Sequence, residues 1–89
     1  MGSYSVKVTT TVRNIVYFNP KRVALIIFNN GDVTAYLSQD PVNVVENGIP
    51  LQPGSSLTLL KVEGDQPEYQ WFAQTLTSET ELRIYEVFG

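Results

Sequence analysis

Hydrophobic and polar residues alternate along much of this chain with a period of two, which is typical of half-buried β-strands. Over residues 4–12, one set of alternate positions holds Tyr, Val and Thr, and the other set holds Ser, Lys and Thr. The alternation returns in residues 33–38 and 82–87. No segment has the apolar 3.6-residue spacing of an amphipathic helix. The pattern therefore predicts an all-β protein.

One run departs from this alternation, because residues 23–28 are apolar at every position. A strand with two apolar faces is typical of the centre of a sheet that is covered on both sides. We therefore predict a central strand here, with Val23, Leu25, Ile27 and Phe28 in the core. Arg22 directly precedes the run, and we expect it to pair with a carboxylate or to bind loop carbonyl groups.

Turn signals divide the rest of the chain into short strands. The sequence Asn29-Asn30-Gly31-Asp32 predicts a tight turn and a β-hairpin over residues 23–38, and Asn47-Gly48 predicts a second tight turn before residues 49–51. Pro50 and Pro53 cannot donate to a central ladder and place their segment at a sheet edge or in an irregular loop. Turns recur about every 8 to 12 residues, which indicates seven to nine strands in one antiparallel β-sandwich or jelly-roll-like domain. We assign residues 1–89 to this domain, with residues 1–3 as a flexible N-terminus.

Composition and charge exclude several classes of function. The chain has 89 residues, a net charge of −3 and six scattered Lys and Arg residues, whereas nucleic-acid binding needs clustered cations. No apolar run reaches the length of a membrane span and no signal peptide is evident, so we expect a soluble protein without a nucleic-acid or membrane partner. Its 43% hydrophobic residues support a core that is small for a monomer, so we expect contact with a second subunit to add to its stability.

The residue types also restrict the chemistry. The chain contains neither His nor Cys, so the commonest general bases, nucleophiles and zinc ligands are missing, and a cupin-type metal site is excluded. Most of the nine carboxylates fall in predicted turns, where solvated acids are ordinary, and Glu63-Gly64-Asp65 matches no calcium loop. Ser55 and Ser56 have no base to activate them. We therefore predict no enzyme activity, no metal and no cofactor.

Binding residues are the remaining candidates. Tyr69 and Trp71 would share one face of a strand. Aromatic rings at such positions either pack in the core or in a subunit interface, or form a platform, here with Tyr36, on which a sugar or a base stacks. Loops on a rigid sandwich carry binding groups without changing the core, so residues 40–54 and 63–68 are the expected contact loops. The candidate partner-binding residues are Asp40, Glu46, Asp65, Glu68, Tyr69 and Trp71.

The order of these signals adds a family resemblance. The chain begins this series with Asn19-Pro20, Arg22 and the apolar strand. Gly31 and the run Gly48-Ile49-Pro50-Leu51-Gln52-Pro53-Gly54 come next, and an aromatic strand and a short terminal strand follow. This order resembles small β-sandwich structural proteins of tailed viruses, of the capsid-decoration, head-fibre or tail-accessory type. The resemblance implies a homo-oligomer, with a trimer favoured, that docks on other virion proteins and is located in the virion. The alternatives are a cytoplasmic location and a carbohydrate-binding module that uses exposed aromatic residues.

Overall fold

A computed structural model describes residues 2–89 of the chain, and it confirms the all-β prediction. Eight strands form two four-stranded antiparallel sheets that pack as a β-sandwich. The strands are β1 Gly2–Val8, β2 Arg13–Val16, β3 Arg22–Asn29, β4 Ala35–Ser38, β5 Ile49–Leu51, β6 Ser56–Leu60, β7 Trp71–Gln74 and β8 Thr80–Phe88. A one-turn helix, α1 Val44–Asn47, and a 3₁₀ turn, Lys61–Glu63, complete the fold.

The strand pairs are nested around the middle of the chain. β4 pairs with β5, β3 with β6, β2 with β7 and β1 with β8, as in one long hairpin that has been folded over on itself. Folding over also pairs β3 with β8 and β4 with β7. The first sheet therefore has the order β1-β8-β3-β6 and the second sheet the order β2-β7-β4-β5, which is the strand order of a jelly roll.

This topology contradicts the predicted hairpin over residues 23–38. β3 lies in the first sheet and β4 in the second, so residues 30–34 cross between the sheets instead of turning back. Gly31 adopts no left-handed conformation there. A side chain at Gly31 would instead collide with Thr80, because the crossing segment packs directly on the start of β8. The glycine is required for close approach, and the local turn pattern gives no hint of that partner.

The second predicted tight turn is also wrong. Residues 44–47 form α1, and Gly48 caps it by donating its backbone N–H to the Val44 carbonyl at 2.8 Å. A side chain at Gly48 would meet the carbonyl oxygens of Val44 and Leu37. The prediction that Pro50 marks an edge is confirmed, because β5 is the last strand of the second sheet.

The core lies between the inner faces of the two sheets. Leu25 and Ile27 on β3 are completely buried, but Val23 and Phe28 are only half-buried. The prediction that both faces of this strand belong to the core is therefore wrong, since its second face is the outside of the first sheet. The buried core residues are Val6, Val8, Ile15, Val16, Leu25, Ile27, Ala35, Leu37, Leu51, Trp71, Ala73, Leu82 and Ile84.

A buried arginine at the first end of β3 forms an ion pair within the first sheet and binds two loop carbonyls next to the second sheet. One extra residue in β3, between Arg22 and Ala24, shifts its register against β8 and turns Arg22 inward. Arg22 Nε lies 3.1 Å from the Glu86 carboxylate. Its Nη1 and Nη2 donate to the Pro67 and Tyr17 carbonyls at 3.0 and 2.6 Å. Both parts of the sequence-based expectation for Arg22 are confirmed.

A buried amide joins the sheets at the other end of β3. Asn29 is completely buried, and its Nδ2 donates to the carbonyls of Val33 and Leu51 at 2.9 and 2.8 Å. Its Oδ1 accepts from the Gly31 N–H at 3.1 Å and from the Thr80 hydroxyl at 2.7 Å. One side chain thus links β3, the crossing segment, β5 and β8, and all of its hydrogen-bonding capacity is used.

The N-terminal residues belong to the first sheet. Gly2 and Ser3, which the sequence places in a flexible N-terminus, pair with Glu86 and Tyr85, whereas Met1 lies outside the described residues. Over residues 2–89, neither helical segment is long and apolar enough to cross a membrane.

Candidate functional site

The outside of the first sheet carries a continuous apolar surface. The register places Ile26 beside Tyr85, and Ala24 between Val87 and Leu60. Phe28 follows on the same face of β3. All of these side chains are half-buried although no layer covers them. We call this surface the outer apolar face, and it consists of Ala24, Ile26, Phe28, Leu60, Tyr85 and Val87.

Polar residues surround the outer apolar face. Ser3 and Ser5 on β1 extend the rows of Tyr85 and Arg83, and Thr58 on β6 flanks Ile26 on its other side. β1, β8, β3 and β6 have 7, 9, 8 and 5 residues. With a rise of about 3.3 Å per residue and strands about 4.8 Å apart, the outside of the first sheet, polar rim included, covers roughly 460 Å². An apolar centre with a polar rim is the usual anatomy of a protein–protein contact surface.

The outside of the second sheet differs in character. Its rows combine Tyr36 with Gln74, and Ser38 with Phe72 and Asn14. Amide and hydroxyl groups therefore interrupt the aromatic rings there. The contrast makes the first sheet, and not the second, the stronger candidate for an apolar contact.

A second candidate surface lies where the chain enters β3 and β7. The rings of Phe18 and Tyr69 are 6.1 Å apart between centroids and inclined by 44°, and their residues are 54% and 40% exposed. Together with Gln39 and Gln70 they line a groove of about 400 Å³, which we call the aromatic groove. It is small for a ligand site but within the usual range of volumes.

A neighbouring hollow of about 420 Å³, the Trp71 hollow, shares Gln39 with the aromatic groove. Trp71 is only 6% exposed, and its indole N–H finds no acceptor among the described residues. The polar lining is mostly neutral, with Asp40 as its one charged residue. The hollow is lined by Leu37, Ser38, Gln39, Asp40, Asn47, Ile49 and Trp71.

Three of the six predicted binding residues thus lie at the same end of the sandwich: Asp40, Tyr69 and Trp71. They do not form the expected platform. β7 begins at Trp71, so Tyr69 precedes the strand, and Trp71 packs into the core with Ala73. Trp71 is therefore excluded as an exposed stacking residue, whereas Tyr69 is exposed. Tyr36 is half-buried and lines a separate hollow with Leu76.

The other three predicted residues have different surroundings. Glu46 is exposed on α1. The Asp65 carboxylate accepts the Leu60 N–H at 2.9 Å, and the Asp65 N–H donates to the Leu60 carbonyl at 3.2 Å, so this acid holds the 3₁₀ turn. The Glu68 carbonyl accepts the Asn19 N–H at 2.9 Å. The Asp65 side chain is thus exposed and also has a structural contact, whereas the contact of Glu68 is made by its backbone. The binding of a partner by these two acids stays a prediction.

Sequence reasoning does not single out Phe18, Gln39 and Gln70. β2 ends at Val16, and the Asn19-Pro20 turn leaves both Tyr17 and Phe18 outside the sheet. An aromatic pair directly before an Asn-Pro turn was the available signal. No comparable signal marks the two glutamines, because a single Gln beside a strand is ordinary.

Among the titratable groups, one tyrosine has a raised pKa. Tyr4 donates its hydroxyl hydrogen to the Ile15 carbonyl at 3.2 Å, and burial, followed by the nearby Glu86 carboxylate, raises the pKa of its phenol above the usual value. Within residues 2–89, no three acidic side chains come close enough together to hold a metal ion.

Comparison with known proteins adds no relative to this description. Neither a protein-family model nor a curated protein matches the chain.

Proposed function

We propose that this chain is a non-enzymatic interaction module that associates with a second copy of itself through the outer apolar face. The observation that carries the proposal is the continuous row of apolar side chains across β6, β3 and β8, on the side of the sheet that no layer of the sandwich covers. Contiguous apolar surface on a small domain marks a contact site.

A second copy suits this surface because a flat apolar sheet face is complementary to itself. Two such faces, related by a two-fold axis, would pack as the two inner sheets of a sandwich do. The rim also carries positive and negative side chains that would pair between the two copies. Within one copy, Lys7 is close to Glu79 and Arg83 is close to Glu81. The contact is therefore isologous and gives a dimer.

The size of the face sets the strength of the contact. The whole outside of the first sheet, roughly 460 Å², is less than the roughly 800 Å² that each partner buries in a standard stable interface. We therefore expect a weak dimer that forms at micromolar to millimolar concentrations. Such a contact becomes strong when many copies are arrayed on one particle, because linked contacts reinforce each other.

A virion is the setting that we propose for such an array. The resemblance to capsid-decoration, head-fibre and tail-accessory proteins favours it, and jelly rolls recur among viral capsid domains, which is an analogy at the level of the fold. The trimer that the resemblance favours would need a second, different contact, because one isologous contact closes at two copies.

Sedimentation equilibrium of the wild type and of Ile26→Lys tests the proposal. The lysine places a charge at the centre of the outer apolar face and should weaken dimerisation at least tenfold. Tyr36→Lys is the matched control, since Tyr36 is also half-buried but lies on the outside of the second sheet. It should leave the dimerisation constant within twofold of the wild type.

Thermal melting of each variant establishes that it is folded. A wild type that stays monomeric to millimolar concentration contradicts self-association. Equal weakening by both lysines, or a trimer that survives Ile26→Lys, contradicts the outer apolar face as the contact.

A further inference from the structure

We infer that the aromatic groove and the Trp71 hollow together form a binding site for a neutral saccharide. This site is at one end of the sandwich and is independent of the outer apolar face. One sugar ring would lie against Phe18 and Tyr69, and the adjoining unit would occupy the Trp71 hollow. The two cavities adjoin at Gln39, which lines both, and we therefore assign one ring of the saccharide to each.

The aromatic pair supplies the apolar part of such recognition. Phe18 and Tyr69 expose about half of their surface, and together they form an open, inclined pair of rings. The apolar C–H face of a pyranose ring stacks on an aromatic ring, and the Tyr69 hydroxyl provides a polar end beside it.

The amide groups supply the polar part. Gln39 and Gln70 in the groove, and Asn47 in the hollow, each combine two donor hydrogens with an acceptor oxygen, which matches a hydroxyl that both donates and accepts. Asp40 is the one charged side chain in either lining, and no Lys or Arg lines them. The lining therefore fits a neutral polyhydroxylated ligand better than a phosphate or a carboxylate.

Trp71 forms part of the wall of the hollow. The residue is 6% exposed, and its N–H has no acceptor among the described residues. That N–H is itself covered, so a ligand in the hollow contacts the exposed part of the Trp71 ring and not the N–H.

The groove is also held in place before any ligand binds. The Asn19 N–H donates to the Glu68 carbonyl at 2.9 Å, which ties the Phe18 segment to the Tyr69 segment. Arg22 binds the carbonyls of Tyr17 and Pro67 on the same two segments, and its Nη1 lies 3.5 Å from the Tyr69 carbonyl. A preformed groove loses less entropy on binding than a flexible one.

Tryptophan fluorescence provides a direct test, because Trp71 is the one tryptophan of the chain. The full-length protein is titrated with a panel of neutral disaccharides that covers α- and β-linked glucose, galactose and N-acetylglucosamine. We expect at least one disaccharide to produce a saturable change in emission. Tyr69→Ala should weaken that binding at least tenfold.

Tyr17→Ala is the matched control, because Tyr17 is also an exposed tyrosine of the same end but lines neither cavity. It should keep the affinity within twofold of the wild type. Ile26→Lys should also bind normally, which separates this inference from the dimer proposal. The inference is wrong if no disaccharide saturates, if both tyrosine variants lose affinity equally, or if only a proline-rich peptide, which also stacks on aromatic grooves, binds.

Discussion

The Asn29→Asp substitution tests the buried amide that joins the two sheets. It replaces the Nδ2 amino group by an oxygen of similar size and leaves the rest of the side chain unchanged. The Val33 and Leu51 carbonyls then lose their donor and face an acceptor instead. The Gly31 N–H and the Thr80 hydroxyl keep their acceptor.

The magnitude follows from those two carbonyls. Each buried polar group left without a partner costs about 1 to 3 kcal/mol, so the two together cost about 2 to 6 kcal/mol. Those two costs apply to the ionised carboxylate. A protonated carboxyl donates its one hydrogen to one of the two carbonyls, so the loss at neutral pH then combines one unpaired carbonyl with the cost of protonation. A domain of this size has about 5 to 15 kcal/mol of stability in total, so Asn29→Asp removes a large part of it.

Urea titrations at neutral and at acidic pH measure this loss. Burial raises the pKa of the introduced carboxyl above its value in the unfolded chain. The loss of stability caused by this carboxyl therefore shrinks as the pH falls toward the unfolded-state pKa, and the free energies of unfolding of the variant and the wild type should come closer together. Gln52→Glu is the control, since it makes the same amide-to-carboxylate change at an exposed position and should stay within about 0.5 kcal/mol. An Asn29→Asp loss no larger than that of Gln52→Glu would refute the role of the amide.

The remaining predictions concern the core and the other polar contacts. Leu25→Ala should lower the free energy of unfolding by about 2 to 5 kcal/mol in a urea titration, because Leu25 is completely buried between the sheets. Arg22→Met should cost about 3 to 5 kcal/mol by leaving Glu86 buried without its partner, and Arg22→Met combined with Glu86→Leu should recover part of that loss. The pKa of Tyr4 is raised in the fold. The protonated phenol therefore makes its full contribution to stability below the ordinary tyrosine pKa of about 10, and this contribution declines as the pH rises above that value. Tyr4→Phe should therefore flatten the fall in melting temperature above that pH, and an unchanged slope would contradict ionisation of the partly exposed Tyr4 phenol as its cause.

The strands could be predicted from the sequence because alternation is a local property. Val6 and Val8 on β1, and Leu82 and Ile84 on β8, are buried as their period-two pattern predicts. The central position of β3 was also predicted from its unbroken apolar run, as the strand lies between β8 and β6. What the run could not reveal is whether its second apolar face is covered by another layer or left on the outside.

The connections could not be predicted because they depend on distant partners. Gly31 fits a tight turn by its local sequence, yet its conformation is set by packing against Thr80, 49 positions later. Asn29 resembles an ordinary turn residue, but its amide binds Leu51 and Thr80. The candidate groove has the same origin, because it needs Phe18 and Tyr69 to be brought together by the pairing of β2 with β7.

Methyl NMR tests the proposed self-association most directly. Ile26 and Ile27 are neighbours on β3, yet Ile26 belongs to the outer apolar face and Ile27 is completely buried. The chain has five isoleucine δ1 methyl groups, in Ile15, Ile26, Ile27, Ile49 and Ile84. As the protein is concentrated from micromolar to millimolar, we expect the Ile26 signal to shift progressively while the other four stay in place. A stationary Ile26 signal, or a shift confined to Ile49 on the second sheet, would contradict self-association through the outer apolar face.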